Sequence, residues 1–409
     1  MKTPSKSRNK TETIPSSAQA KLVTTTVFLA FLGQMLLNPI IAPLSREMGL
    51  QEWHIGLTIS FAAIVLAVMS SYWGRTSQRL GVKRVIVTGM LIAITSLTVF
   101  GILSYLGMNK ILAGPGLVIG VMVTRGLIYG AGISAVSPTA QTHLVTHTAS
   151  EAGRVKATGM IGAAYGMASI VGGIMGGLLA AIGGLMLPLV VMPVVMLSSV
   201  VVLIVKFKPQ AAAKLIEKPK HIQFRDPRVR PWLIGGLLLF IVFSSIATIF
   251  GFTVQDRFLL ASDTTAAVTA VYLTIMGVTM IVTQAVIAPK TRWGAAKLFR
   301  TGLIVLLLGV ACMWPTTSHL LLGIACVLVG LGMGFAMPGY NTGPTLQTNT
   351  SEQGAVAGLI NANNGIAYAI APAVSTALYG WNPLIPFIIS ISIVVIIVIY
   401  AYVQPTLRK

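Results

Sequence analysis

Trp232–Val254 reads WLIGGLLLFIVFSSIATIFGFTV, 23 residues with no charge among them. Lipid offers no partner to backbone N–H and C=O groups, so a segment crossing it must close its own hydrogen bonds as a helix. The hydrocarbon core takes roughly 20 residues at helical rise, and this stretch fits it. Arg228 and Arg230 stand before it and Asp256 and Arg257 after it, so charge returns as soon as the span is complete.

The pattern repeats in both directions. Toward the N-terminus, apolar runs fall near 22–44, 53–73, 85–107, 115–137, 155–181 and 184–206. Beyond 232–254 come 264–288, 298–315, 319–341, 355–379 and 384–404. An all-α membrane protein of twelve transmembrane helices is predicted. Composition agrees, with 55% apolar and only 9% charged residues against roughly a quarter charged in soluble chains. The net charge of +20 does not mark a nucleic-acid partner, because the bases sit in short groups between apolar runs and form no stripe. Cys312 and Cys326 lie inside such runs and read as small buried hydrophobes. No metal spacing, disulfide framework or phosphate-cradling Gly-Lys-Ser/Thr run occurs, so neither cofactor nor ATP hydrolysis is expected. Residues 1–21 lack the short apolar stretch of a cleaved signal, and the first run is expected to remain as a helix.

Basic residues favour the cytoplasmic side of membrane loops. With the N-terminus inside, the inner segments hold Lys2, Lys6, Arg8, Lys10 and Lys21, then Arg75, Arg79, Lys83 and Arg84, then Arg154 and Lys156. Eight more lie between Lys206 and Arg230, followed by Lys290, Arg292, Lys297, Arg300, Arg408 and Lys409, making 25 of 29. Arg46, Lys110 and Arg257 fall outside, and Arg125 lies within the fourth run. Both termini are therefore expected in the cytoplasm and the chain in the cell (inner) membrane. The organisation reads as a basic segment 1–21, a six-helix bundle 22–206, a central loop 207–231, a second bundle 232–404 and a tail 405–409. Internal repetition supports the split. Arg79-Leu80-Gly81 with Thr88-Gly89 recurs as Arg292-Trp293-Gly294 with Thr301-Gly302, and Ser150-Glu151-Ala152-Gly153 recurs as Ser351-Glu352-Gln353-Gly354.

With these residues the chain resembles the major facilitator superfamily from 22 to 404. The loop after the second run keeps Gly74, Arg79, Gly81 and the basic end Lys83-Arg84 of that family's motif, with Gln78 at the acidic position and Val82 at a basic one. In the family that acid helps latch the outward-open state, so the latch is expected to be altered. Arg125-Gly126 to Gly130-Ala131-Gly132 is similar to the family's second motif. Gly166, Gly172, Gly173, Gly176 and Gly177 resemble the glycine-rich motif of twelve-helix drug/proton antiporters, multidrug and tetracycline exporters among them. Gly173 stands where that motif carries proline, and Pro372 keeps a proline at the matching place in the eleventh run. The resemblance implies alternating access of two pseudo-symmetric six-helix bundles around a small-molecule site.

Read on their own, the glycine pairs remove side chains from one helix face, for a sliding seam between the bundles or for ordinary close packing. Arg79 and Gly81 suit conformational control of the loop rather than substrate contact.

Arg125 is the leading candidate for chemistry. A charge at the centre of a span costs ~2.5–3.5 kcal/mol on insertion scales, so it should face a bundle interior or a wet cavity. A structural arginine bonded to backbone carbonyls is the alternative. All nine acids, Glu12, Glu47, Glu52, Glu151, Glu217, Asp226, Asp256, Asp263 and Glu352, lie in loops or at helix ends. The embedded carboxylate common to proton-driven exporters is missing. Asp256 is the least remote coupling candidate, with a solvated pair to Arg257 as the competing reading. A cavity holding one cation and no anion favours an anionic or zwitterionic substrate.

Gln34 and Asn38, four apart, are expected on one face of the first helix. Asn361, Asn363 and Asn364 cluster in the eleventh run, for cavity lining or for interhelical hydrogen bonds. Tyr129, Tyr165, Tyr340 and Tyr368 offer amphipathic surface or packing. His143 and His147 read as interfacial, since no third metal ligand is near. The leading function is export of drug-like or anionic and zwitterionic small molecules by a monomer in the bilayer, with protons as the candidate coupling ion. Import of a nutrient through the same fold is the alternative. A membrane-embedded lipid enzyme or a receptor is more remote, because the five histidines, His54, His143, His147, His221 and His319, sit at ends or in loops.

Overall fold

A computed structural model describes residues 17–146, 151–207, 222–314, 316–349 and 352–408. The expectations resting on residues 1–16, His147, Ser150, most of the central loop and Ser351 lie outside the described residues. The described rods are α1 (Ser17–Met35), α2 (Glu52–Leu80), α3 (Val82–Met108), α4 (Pro115–Leu144), α5 (Glu151–Gly183) and α6 (Met186–Lys206). They continue as α7 (Arg230–Phe258), α8 (Ser262–Thr291), α9 (Ala295–Met313), α10 (His319–Leu346), α11 (Gln353–Trp381) and α12 (Ile385–Val403). Ten are long and apolar enough to cross a membrane. With α1 and α11 the count is consistent with the twelve predicted. Large apolar side chains such as Ile182, Val205, Val403 and Trp381 stand exposed on the outside of the bundle, as lipid contact requires. The end of the bundle where α1 begins and α12 finishes is called the terminal end, and the opposite end the distal end.

The first run is not one helix. The chain leaves α1 at Met35, turns through residues 36–40 and re-enters a short helix, Ile41–Glu47. Pro39 explains the break, since its ring crowds the preceding residue out of helical geometry and it has no N–H to donate. Gln34 and Asn38 therefore do not share a helical face as the spacing predicted. Asn38 sits exposed in the turn, its amide against the Met35 sulfur at 3.1 Å.

Buried apolar side chains gather into two main clusters, one drawn from residues 23–207 with Ala266 and the other from 222–407 with Ala42. Within each, small residues let backbones meet. The repeated Thr-Gly acquires its meaning here. Gly89 of α3 lies against the Gly132 carbonyl of α4, and Gly302 of α9 lies against the Gly332 carbonyl of α10. A Cβ on Gly302 would meet the Gly332 carbonyl oxygen at 2.6 Å. Neither backbone can yield, so Gly302→Val is expected to destabilise by about 1–3 kcal/mol through overpacking. A lowered melting temperature of the purified protein in detergent checks it.

The turn between α2 and α3 is made by Gly81 at φ 85°, a conformation glycine adopts without steric cost. In the second half the left-handed residue is instead Arg292, φ 55°, while Gly294 precedes α9 in extended geometry. The repeated sequence thus makes two different turns.

At the start of α7, Arg228 pairs with Asp226 at 2.8 Å and with Glu352 at 3.1 Å, tying the central loop to the α10–α11 turn. Both carboxyls are held below their ordinary range, chiefly by the hydrogen bonds from Arg228. Depressed folded-state values mean that this contribution is present at neutral pH and disappears as pH falls through them. The melting difference between wild type and Arg228→Ala is accordingly expected to be constant at neutral pH and to start shrinking only as pH falls to about 4 and below.

Candidate functional site

A π-helical turn, Met122–Ile128, interrupts α4 and carries Arg125. Such turns widen the helix locally and recur at functional sites. On one side of it Gly126 and Gly130 press against α2, near the Thr58 and Ala62 carbonyls, which fixes the depth and orientation of the turn. The Arg125 guanidinium carbon stands 4.4 Å from the Tyr129 ring centroid. Its Nε is enclosed and has no hydrogen-bond partner, and no ion pair reaches the side chain among the described residues. The carbonyl-bonded structural alternative is therefore not what the geometry contains. Tyr129 is 1% exposed and its hydroxyl is also unpartnered, as is the buried Oε1 of Gln34.

Aromatic side chains extend from this point toward the second half. Tyr165 of α5 lies edge-on to Phe31 of α1 at 4.7 Å and is close enough to both Tyr129 and Tyr368 to enter their electrostatics. Tyr368 of α11 packs on Phe240 of α7 at 6.1 Å, and Phe240 on Tyr340 of α10 at 6.0 Å. Tyr340 donates to Asn364 at 3.3 Å and accepts from Asn363 at 3.0 Å. Asn363 also donates to the Leu233 carbonyl at 2.8 Å and is buried, so it ties α11 to α7 and α10. Asn364 is half-buried beside it and Asn361 is exposed. Of the polar candidates, Arg125 and Tyr129 stand together on α4, Tyr368 and Asn364 are joined through Phe240 and Tyr340, and Asn363 is structural.

The two glycine ridges of α5 face different neighbours. Gly172 lies against the backbone of α1 at Leu32 and Met35 and Gly176 against Leu36 in the turn that follows, while Gly177 meets Ala266 and Ala270 of α8 across the halves. Nothing lies within 4 Å of a Cβ placed on Gly173. Gly176→Val is accordingly expected to lower the melting temperature sharply and Gly173→Val to leave it unchanged, a paired measurement in detergent. Beside Pro372 of α11, the Ala373 N–H donates to Ser60 of α2 at 3.0 Å, a second cross-half contact. The motif expected in a loop lies mostly in helix: Gly74, with open space around it, and exposed Arg79 end α2, while exposed Arg84 and Lys83, which donates to the Ile204 carbonyl at 2.7 Å, begin α3.

Asp256 does not pair with Arg257. Arg257 donates to the Met313 and Thr316 carbonyls and stands over Phe387, because its side chain points into the α9–α10 turn. Asp256 instead takes both ends of the Arg46 guanidinium, with Nη2 to Oδ2 at 2.9 Å, and accepts from the Tyr379 hydroxyl at 2.8 Å. Arg46 also bonds Glu52 at 2.8 Å and Gln255 at 3.3 Å. Next to it Ser262 donates to Glu47. This network crosses the halves at the distal end. Sequence reading passed over Arg46 as a loop charge, since its partner lies 210 residues away. His143, expected to be interfacial, is buried against Phe207 at 5.4 Å. His319 bonds Tyr272 and stacks on Phe258. Among the described residues no group of His, Cys, Asp and Glu could hold a metal ion.

A bundle of long apolar helices in two halves, with polar side chains among them, is the architecture of a membrane transporter. The sequence matches the Major Facilitator Superfamily over residues 23–372 and 258–409, and the chain belongs to that family. It is 23% identical over 372 residues to multidrug resistance protein 1 of Bacillus subtilis (strain 168), covering 90% of this chain and 91% of that protein. Its fold is similar to the human organic anion transporter MFSD10 (TETRAN), with TM-score 0.64, 16% identity and coverage of 94% and 99%. A bacterial homologue of the human lysosomal transporter Spinster, in an inward-facing and occupied conformation, matches with TM-score 0.71, 12% identity and coverage of 95% and 96%. The family and fold are those of transporters, not enzymes.

Proposed function

We propose that this transporter exports small amphipathic molecules carrying a carboxylate or similar anionic group, by alternating access of the bundles 22–206 and 232–404 around Arg125. One observation carries the reading. Among the described residues Arg125 has no ion-pair partner, its Nε is enclosed, and its guanidinium stands beside the Tyr129 ring. A carboxylate would pair with the planar fork and a ring would stack on the tyrosines. The multidrug-resistance name of the Bacillus relative supports export. The human organic anion transporter indicates that such a fold can pass anions.

Cross-half contacts cluster toward the distal end, at Arg46–Asp256, Ser60–Ala373, Gly177–Ala270 and Gly251 of α7 against Ala42. Gly162, Gly358 and Gly365, nearer the terminal end of α5 and α11, have nothing within 4 Å of an added Cβ. These features support a carrier open toward its terminal end. With 25 basic residues assigned to that end, it would face the cytoplasm of a cell membrane. The test is flux of labelled aromatic carboxylates in proteoliposomes of known orientation. Accumulation in the distal direction supports export, and flux only in the opposite direction would mark a nutrient importer.

A further inference from the structure

We infer that the carrier is an obligatory exchanger, moving one anion out for one anion in rather than returning empty. The inference rests on the anionic-substrate reading above and concerns what happens after the substrate leaves.

Alternating access requires the passage to close around the site before the other side opens. Closing expels water, and a charge without a partner is then held in a medium of low dielectric. Arg125 is the one charge lying deep within a span, and the described acids sit at rod ends, at Glu47, Glu52, Asp226, Asp256, Asp263 and Glu352. At the distal end Asp256 and Glu52 are engaged by Arg46 and Glu47 by Ser262, and Asp263 stays in the first turn of α8. Among the described residues no acidic side chain pairs with Arg125 to neutralise it as the halves close. The Tyr129 ring at 4.4 Å offsets only part of the loss. A bound carboxylate cancels the charge and bonds the open fork, so the loaded carrier closes cheaply and the empty one does not. An embedded acid would have let a proton, or the bare acid–arginine pair, serve for the return. Its absence removes that route and leaves a second anion as the neutralising group. Each cycle then transfers one anion each way with no net charge, so the exchange does not respond to membrane potential.

The experiment is counterflow in proteoliposomes. Wild-type protein is reconstituted with a panel of radiolabelled aromatic carboxylates (p-aminohippurate, salicylate, naphthoate) outside, and with buffer or the same unlabelled carboxylate inside. Uptake into loaded vesicles is expected to exceed uptake into empty ones by about two orders of magnitude, the ratio a centrally placed uncompensated charge implies. Imposed potentials and pH gradients should leave the loaded rate unchanged and fail to rescue empty vesicles. In Arg125→Gln, whatever flux remains should become indifferent to the internal anion. Equal uptake into loaded and empty vesicles, or rescue of empty vesicles by a pH gradient, overturns exchange and leaves the anionic-substrate reading standing. No uptake of any carboxylate in either condition overturns that reading and the exchange inference with it.

Discussion

Arg125→Ala is expected to weaken carboxylate transport by at least tenfold in apparent affinity while leaving the protein as stable as wild type or more so. The two halves of that result have one cause. Among the described residues no ion pair reaches the guanidinium, and its Nε is enclosed without a hydrogen-bond partner. Charged hydrogen bonds contribute about 1.5–3 kcal/mol each, so losing one bidentate contact to substrate should lower apparent affinity by roughly ten- to a hundredfold or beyond. Removing the same group from the empty protein relieves the burial of an uncompensated charge, about 2.5–3.5 kcal/mol on insertion scales. A structural arginine would behave oppositely, since its loss would strand the carbonyls it served and lower the melting temperature. Arg125→Lys separates charge from shape. Lysine keeps the cation and lacks the planar fork, so partial transport with weakened affinity is expected. Flux kinetics in proteoliposomes, read together with melting temperature in detergent, check all three variants. A fall in both activity and melting temperature for Arg125→Ala would return the residue to a packing role.

How far the sequence reaches can be judged from the same residues. Arg125 was legible because a charge inside a 20-residue apolar run conflicts with its surroundings wherever the helix packs. The spans were legible because backbone satisfaction in lipid leaves few alternatives to helix. Pro39 was also in plain view, but a run that stays apolar through a proline reads as continuous, and only the turn at residues 36–40 separates Gln34 from Asn38. The glycine ridges of α5 pose a different problem. Two Gly-x-x-x-Gly pairs one residue apart present two faces, and sequence alone does not say which face meets α1 and which meets α8. The Thr-Gly repeat was visible as a pattern, while its role as the crossing point of α3 with α4 and of α9 with α10 needs the carbonyls that oppose it. Asp256 illustrates long-range pairing. Its neighbour Arg257 was the nearest base in sequence, but adjacent residues on a helix diverge by about 100°, so the partner came from another rod.

Arg46→Ala and Asp256→Ala are each expected to shift the carrier toward a distal-open state, and the double variant to shift it no further than either alone. Arg46 joins Asp256, Glu52 and Gln255, and Tyr379 completes the Asp256 carboxylate, so one guanidinium fastens the short helix Ile41–Glu47 to α7 and α11. An isolated pair with side chains 26% and 37% exposed would contribute little. Here the arginine is bidentate and shares two acids, and after a discount for exposure about 1–2 kcal/mol is reasonable, a five- to thirtyfold change in population. The shift should be visible because the network joins the short helix of the first half to α7 and α11 of the second. Spin labels on Ile111 and Leu320, both exposed and one in each half, report the separation of the distal ends. Wild type should show mainly the shorter distance, and each single variant a marked population at longer distance. Non-additivity in the double variant identifies the pair itself as the fastening, and full additivity would show that Arg46 and Asp256 act through separate contacts.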